Sequence, residues 1–307
     1  MPPTPKPSRH LIGAHVSTQG GVQTAPGRGV VIGATALQVF TKTPNQWRDP
    51  EVPPAGAEAF RKSWADSGIA VIVAHDSYLI NLASPDPVLN RRSVAAFTAE
   101  LTRCRLLGIP AVVSHPGNYM DHREAGLRRN AAGIAAALRA APGAVRVLLE
   151  TTAGTGTALG RTFEDLAELR GLIPADLRSR IGFCVDTCHL YSAGYDLVGD
   201  YEGVWAQFER VLGLEHLGCV HLNDSKTPFG SRRDRHELLG EGSLGPAPFR
   251  RLMRDPRFRQ IPLILETPKG DDGVTNDRVA LRRLRRWGTG GGEAGAATRE
   301  RAGGRGG

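Results

Sequence analysis

The chain has 307 residues, 40% hydrophobic and 23% charged, with a formal net charge of +8 carried by 39 basic residues, 34 of them arginine. No apolar run approaches the roughly 20 residues of a membrane span, and four cysteines (Cys104, Cys184, Cys188, Cys219) are too sparse for a disulfide scaffold. The charge lies mostly at the ends, +2 in residues 1–10 and +5 in residues 280–307, so the body at +1 gives no electrostatic case for a nucleic-acid partner.

Residues 1–10 (MPPTPKPSRH) are proline-rich without an apolar signal core, which predicts a flexible start, no signal peptide and a cytoplasmic protein with reduced thiols. Apolar, β-rich runs then follow at Leu11–His15, Ala36–Thr41, Ala70–His75, Ala111–His115, Val145–Glu150, Ile181–Asp186, Cys219–Asn223 and Pro262–Glu266. Between them, helical periodicity covers Pro87–Leu107, Arg123–Arg139, Phe163–Arg170, Tyr201–Leu212 and Thr275–Trp287. Eight strands alternating with helices, and no antiparallel hairpin to end a sheet, predict a single-domain α/β fold, a closed (β/α)8 TIM barrel over residues 11–287. Arg282, Arg283, Arg285 and Arg286 read as a solvated face of the last helix. Residues 288–307, with nine glycines in twenty, read as a disordered tail. Gly154–Gly160 has G-x-G-x3-G spacing, one residue too long for a dinucleotide loop, and reads as a flexible loop positioning Glu150. Cys184 and Cys188 are spaced C-x3-C, which supports neither a thioredoxin motif nor a zinc ribbon.

In such a barrel, function gathers at the carboxyl ends of the strands. Those ends read His15, Thr41-Lys42, His75, His115, Glu150, Asp186, His221 and Glu266. Carboxylates crowded on one rim repel unless cations or protons neutralise them. Imidazole and carboxylate donors without thiolate suit Zn²⁺, Mn²⁺ or Fe²⁺, and so many donors imply more than one ion. His189, one short turn beyond Asp186, and the pair Asp234 and His236 supply a further His-Asp-His set. His15 is surplus to these nine ligands and is expected to orient a ligand or a water.

The stretches AHDSYLINL, SHPG, ETTAG, DTCHLYSAGYDL, HLNDSKTPFGSRRDRHELLGEG and ILETP resemble the endonuclease IV family of apurinic/apyrimidinic endonucleases, and the likeness runs from Ile12 to about residue 285. The resemblance implies a TIM barrel with three zinc ions. Glu150 would bridge two of them, His75 and His115 completing one, and Asp186, His221 and Glu266 the other. His189, Asp234 and His236 would hold the third. Its implied reaction is hydrolysis of the phosphodiester 5′ to an abasic site in duplex DNA by hydroxide held at the Glu150-bridged pair, leaving a 3′-hydroxyl and a 5′-deoxyribose phosphate. Mn²⁺ could replace zinc, no organic cofactor is needed, and a monomer is expected to embrace the duplex. Tyr78 and Leu79 match the family segment that enters DNA beside the lesion, and Lys42, Lys226, Arg232, Arg233 and Arg235 are candidate phosphate contacts. The chain departs from the family at Asn45, where relatives carry arginine before Gln46-Trp47, so Asn45 should intercalate less well. Two other readings compete. A metal-dependent sugar isomerase or epimerase needs Glu150, Asp186, His221 and Glu266 only, and a DNA-damage-binding module needs no bridging carboxylate.

Overall fold

Each strand buries alternate side chains on opposite faces, and here both faces are covered. The strands are β1 (Ile12–Val16), β2 (Ala36–Phe40), β3 (Val71–His75), β4 (Ala111–Ser114), β5 (Arg146–Glu150), β6 (Ile181–Asp186), β7 (Leu217–His221), the short β8 (Asp224–Ser225) and β9 (His236–Glu237), and β10 (Leu263–Leu265). All but β8 and β9 pair in parallel, and β10 pairs with both β7 and β1 to close the eight-stranded barrel. The computed structural model describes residues 10–289. The expectations of a flexible start and a disordered tail concern residues almost wholly outside that range.

Outward-facing residues such as Leu37, Val39, Ile72, Val147, Leu149, Phe183 and Val220 join the helices in one large apolar core. The helices are α1 (Ala25–Ile32), α2 (Pro54–Ser67), α3 (Pro87–Leu107), α4 (Arg123–Ala140), α5 (Phe163–Leu172), α6 (Thr187–Ala193), α7 (Tyr201–Leu212), α8 (Pro246–Arg254) and α9 (Thr275–Gly288). Local signals fix their ends. Asp86 accepts from the Val88 and Leu89 amides to start α3, and Gly108 at φ +78° ends it. A reciprocal Thr162–Asp165 capping box starts α5.

Inside the barrel a second, smaller cluster forms a floor of Ala36, Val73, Val113, Leu148, Cys184, Cys219 and Ile264. Two residues further along each of these strands, the next inward position carries Gln38, His75, His115, Glu150, Asp186, His221 or Glu266. The strand period thus stacks one polar layer on one apolar layer, and every polar member points into the same mouth.

Five predicted helices recur with the same start and nearly the same end, whereas α1, α2, α6 and α8 add to that reading. The antiparallel hairpin of β8 with β9 lies outside the barrel and sets the loop carrying Asp234. The run predicted as Cys219–Asn223 is strand only as far as His221, and β7 begins two residues earlier, at Leu217. The Gly154–Gly160 loop is not free. Ala158 bridges Asn118, Leu159 N donates to Gly117 O (2.9 Å), and Thr152 N donates to Gly160 O (3.0 Å). Gly160 has φ +84°, and a Cβ there would meet Pro116 Cγ at 2.9 Å and Glu150 O at 3.1 Å. Glycine is therefore required for this loop to pass beside Glu150. No helix among the described residues is long and apolar enough to cross a membrane.

Candidate metal centre

The nine donors singled out above fall into three contiguous groups whose ligand atoms lie within 4.8 Å of one another in each. In the first, His75 Nε2 and His115 Nε2 are 3.2 and 3.0 Å from Glu150 Oε2. Glu150 turns its other oxygen to the second group, with Oε1 2.9 Å from His221 Nδ1. That nitrogen also lies 3.2 Å from Glu266 Oε2 and 3.9 Å from Asp186 Oδ2. In the third group the Asp234 oxygens separate, Oδ2 lying 3.1 Å from His189 Nε2 and Oδ1 3.1 Å from His236 Nε2. The groups adjoin, since Asp186 Oδ2 is also 3.5 Å from His236 Nε2.

Backbone and side-chain partners set the tautomers. His75 Nδ1 is 2.9 Å from Asp76 O and His189 Nδ1 is 2.7 Å from Thr151 O, so each Nδ1 carries the proton and each Nε2 faces the site. His189 gets its place from α6, where Asp186 Oδ1 caps the helix by accepting from the His189 amide at 2.9 Å. Two residues carry support that the strand-end reading missed. Gln38 joins His221, Glu266 and His15. Asn223 Nδ2 donates to Asp186 Oδ2 (2.6 Å), and Asn223 Oδ1 accepts from Glu266 N (2.9 Å). The available signal was a lone amide in the apolar strand ALQVF and the asparagine of HLND.

The donor set fits divalent cations. It is wholly nitrogen and oxygen, grouped by threes and fours, and His236 Nε2 is buried with no hydrogen-bond partner although Asp234 Oδ1 is 3.1 Å away. Charge tells the same story. Burial opposes a proton on His75, but Glu150 overrides it and pushes the imidazole up to about 9. His189 rises to about 10 and His236 to about 9, burial again being outweighed by Asp186 and Asp234. Burial would raise Glu150, yet His221 and His115 hold it well below the usual carboxylate range. Without cations the cluster neutralises itself as imidazolium–carboxylate pairs, and a metal would displace those protons.

The mouth above the groups is a cavity of about 440 Å³ walled by Phe40, Tyr78, His15 and Lys269 among others. His15 Nδ1 is 3.0 Å from Gln38 Nε2 and 3.7 Å from Glu266 Oε1, in reach of the second group without joining it. Tyr78 is 63% exposed, its ring edge-on to Phe40 at 5.3 Å, and Leu79 is half-buried beside it. Asn45, Lys226, Arg232, Arg233 and Arg235 are exposed. Lys42 is not, which corrects its reading as a phosphate contact. Its side chain is buried and its ammonium lies 2.9 Å from Asp49 Oδ1, because the loop after β2 folds back over it. Arg283 and Arg285 of α9 are likewise tied to the body, Arg283 to Glu241 and the Leu239 carbonyl, and Arg285 to Gly33.

Comparison with known proteins follows the same lines. Residues 30–287 match the family described as xylose isomerase-like TIM barrel. The chain is 47% identical over 277 residues to a probable endonuclease 4 of Chloroflexus aurantiacus, covering 89% of this chain and 96% of that one. It is 39% identical to the crystal structure of endonuclease IV from Thermus thermophilus, with a TM-score of 0.80 over 90% of this chain and 98% of that one. A D-tagatose 3-epimerase-like protein superposes with a TM-score of 0.67 at 15% identity, a likeness of fold alone.

Proposed function

Because the chain belongs to the endonuclease IV family, we propose that it is a DNA-repair endonuclease hydrolysing the phosphodiester 5′ to abasic sites in duplex DNA, leaving a 3′-hydroxyl and a 5′-deoxyribose phosphate. One observation carries this reading: nine nitrogen and oxygen donors form three adjoining groups, with Glu150 dividing its two oxygens between two of them. A sugar isomerase would need the Glu150, Asp186, His221 and Glu266 group alone, and would leave His189, Asp234 and His236 without a task. A binding module would have no use for a buried Glu150 shared between two groups.

The residues that would hold three divalent ions, with zinc favoured and Mn²⁺ an alternative, are His75, His115 and Glu150; Glu150, Asp186, His221 and Glu266; and His189, Asp234 and His236. Ions there would supply a hydroxide at neutral pH, screening of the non-bridging phosphate oxygens and stabilisation of the leaving O3′. The chain contributes the rest. Glu150 is fixed by the close passage of the Gly160 loop, His75 and His189 present Nε2 because their Nδ1 protons are committed to carbonyls, and Gln38 orients His221. His15 holds the other side of Gln38. An abasic nucleotide costs little to unstack, and Tyr78, exposed at the mouth with Leu79 behind it, is suited to wedge beside it. Lys226, Arg232, Arg233 and Arg235 offer exposed charge for the flanking phosphates.

The test is nicking of a duplex with a single tetrahydrofuran abasic analogue, coupled to elemental analysis of the purified protein. About three divalent ions per chain are expected. Exhaustive chelation or Glu150→Gln should cost about 10³-fold or more, the loss of several kcal/mol of transition-state stabilisation. Full activity after either treatment would overturn the metal reading.

A further inference from the structure

Two thiols lie directly under the carboxylate–imidazole layer, and the proposed reaction uses neither. Cys184 and Cys219 sit opposite each other in register on β6 and β7. Both are fully buried and point into the barrel with Val73, Val113, Leu148 and Ile264. Each precedes by two residues a member of the four-donor group, Asp186 and His221. Both sulfurs and a ring nitrogen of His221 lie within 4.8 Å of one another.

We propose that Cys184, Cys219 and His221 form a binding site for a thiophilic d10 cation of the Cu⁺ or Cd²⁺ class, one layer below the nitrogen–oxygen groups and in competition with them for His221. Two sulfurs and one imidazole are a soft donor set, unlike the all-nitrogen-and-oxygen groups above. The apolar floor offers no carboxylate at that depth, which favours an ion content with few, soft ligands. Binding of Cd²⁺ breaks two S–H bonds and forms two Cd–S bonds and one Cd–N bond to His221, releasing both protons to solvent and, in metal-loaded protein, taking the His221 nitrogen from the ion above, with no change of oxidation state. His221 Nδ1 already faces Glu150 at 2.9 Å and Glu266 at 3.2 Å. An ion drawing the imidazole down toward the sulfurs therefore takes a ligand from the upper group. The consequence for nicking rests on the proposed function, whereas the existence of the site does not.

The experiment titrates the purified, metal-loaded protein with Cd²⁺, following the thiolate-to-cadmium charge-transfer band in the ultraviolet, bound cadmium and abasic-duplex nicking together. The expected result is a band that saturates as nicking falls at least about tenfold. Cys184→Ala and Cys219→Ala should each lose most of the band and retain nicking at the same Cd²⁺ concentration. Cys188→Ala should keep the band, although Cys188 lies near Asp186 and His236. Circular dichroism checks folding, and Cys219→Val refills the floor if the alanine variant is unstable. Absence of a band in the parent, or a band untouched by Cys184→Ala and Cys219→Ala, overturns the site. Loss of the band with undiminished inhibition overturns the competition for His221. A parent that binds cadmium through these thiols but never nicks abasic DNA would instead count against the proposed function.

Discussion

Gln38 commits both ends of one amide to the candidate site. Its Oε1 lies 2.8 Å from His221 Nε2, and its Nε2 donates to Glu266 Oε1 at 2.6 Å and approaches His15 Nδ1 at 3.0 Å. This arrangement puts the His221 proton on Nε2 and leaves Nδ1 as the ligand atom. Gln38→Ala should therefore lower metal affinity by about 10–100-fold, the usual effect of losing a partner that orients a ligand. Competition with a chromogenic chelator measures it, and unchanged affinity would mean that the neighbouring carboxylates alone orient His221. At this scale the histidines and carboxylates were legible because the carboxyl ends of barrel strands gather their inward residues in one mouth, and here almost every such residue is a metal donor. Gln38 was not, since a neutral amide in an apolar strand carries no charge signature. Lys42 misled for the opposite reason. Its position after a strand end suggested an exposed cation, but Asp49, seven residues on, claims the ammonium.

The loop between β2 and α2 carries Asn45, the position at which the chain departs from the pattern it resembles. Its root is a buried polar network. Thr41 Oγ1 donates to Glu100 Oε1 (2.6 Å), and Arg103 reaches Glu100 Oε2 (2.6 Å) and Asp49 Oδ1 (3.0 Å). Its outer part is held by Ser77, which donates to Pro44 O, and by Arg92 stacked over Trp47 at 4.4 Å. Because Glu100 and Arg103 are almost fully buried, Arg103→Met should destabilise the protein by about 3–5 kcal/mol through the unpaired carboxylate it leaves, read by urea denaturation. A loss within experimental error would mean that Thr41 and Lys42 suffice. On the same rigid loop, Asn45→Arg should tighten binding to abasic duplex, and unchanged affinity in a mobility-shift titration would remove Asn45 from lesion recognition. The helices flanking such loops divide by composition. The long periodic helices α3 and α7 could be read to the residue. The segments α1 and α2 carry both Gly and Pro, and α8 carries two prolines in its first turn, while α6 has seven residues running straight on from β6, too few to show a period.

For the whole molecule, the net charge of +8 belongs mainly to the two ends, and a body at +1 does little to draw a polyanion. Divalent ions held by the three donor groups, as proposed, would change that locally, since such ions are usually a site's largest charges. In their absence the same groups must balance by protonation, which gives a pH signature. His75 and His236 are raised from 6.5 to about 9, and His189 to about 10. A raised value adds stability that is complete below 6.5 and lost as pH rises through the folded value. Glu150, Glu266 and Asp234 are depressed, so their contribution is present above their ordinary values of 4.5 and 3.8 and is lost in acid. Metal-stripped protein should therefore be most heat-stable between about pH 4.5 and 6.5 and should lose melting temperature steadily from pH 6.5 to 9. Metal-loaded protein has no such protons to lose, so its melting temperature should hold across that alkaline range, and the gap between the two forms should widen with pH. Parallel thermal melts in chelator and in Zn²⁺ read that gap. A gap that narrows from pH 6.5 to 9 would mean that the imidazoles are not protonated in the metal-stripped cluster, and that something other than charge pairing holds its carboxylates together.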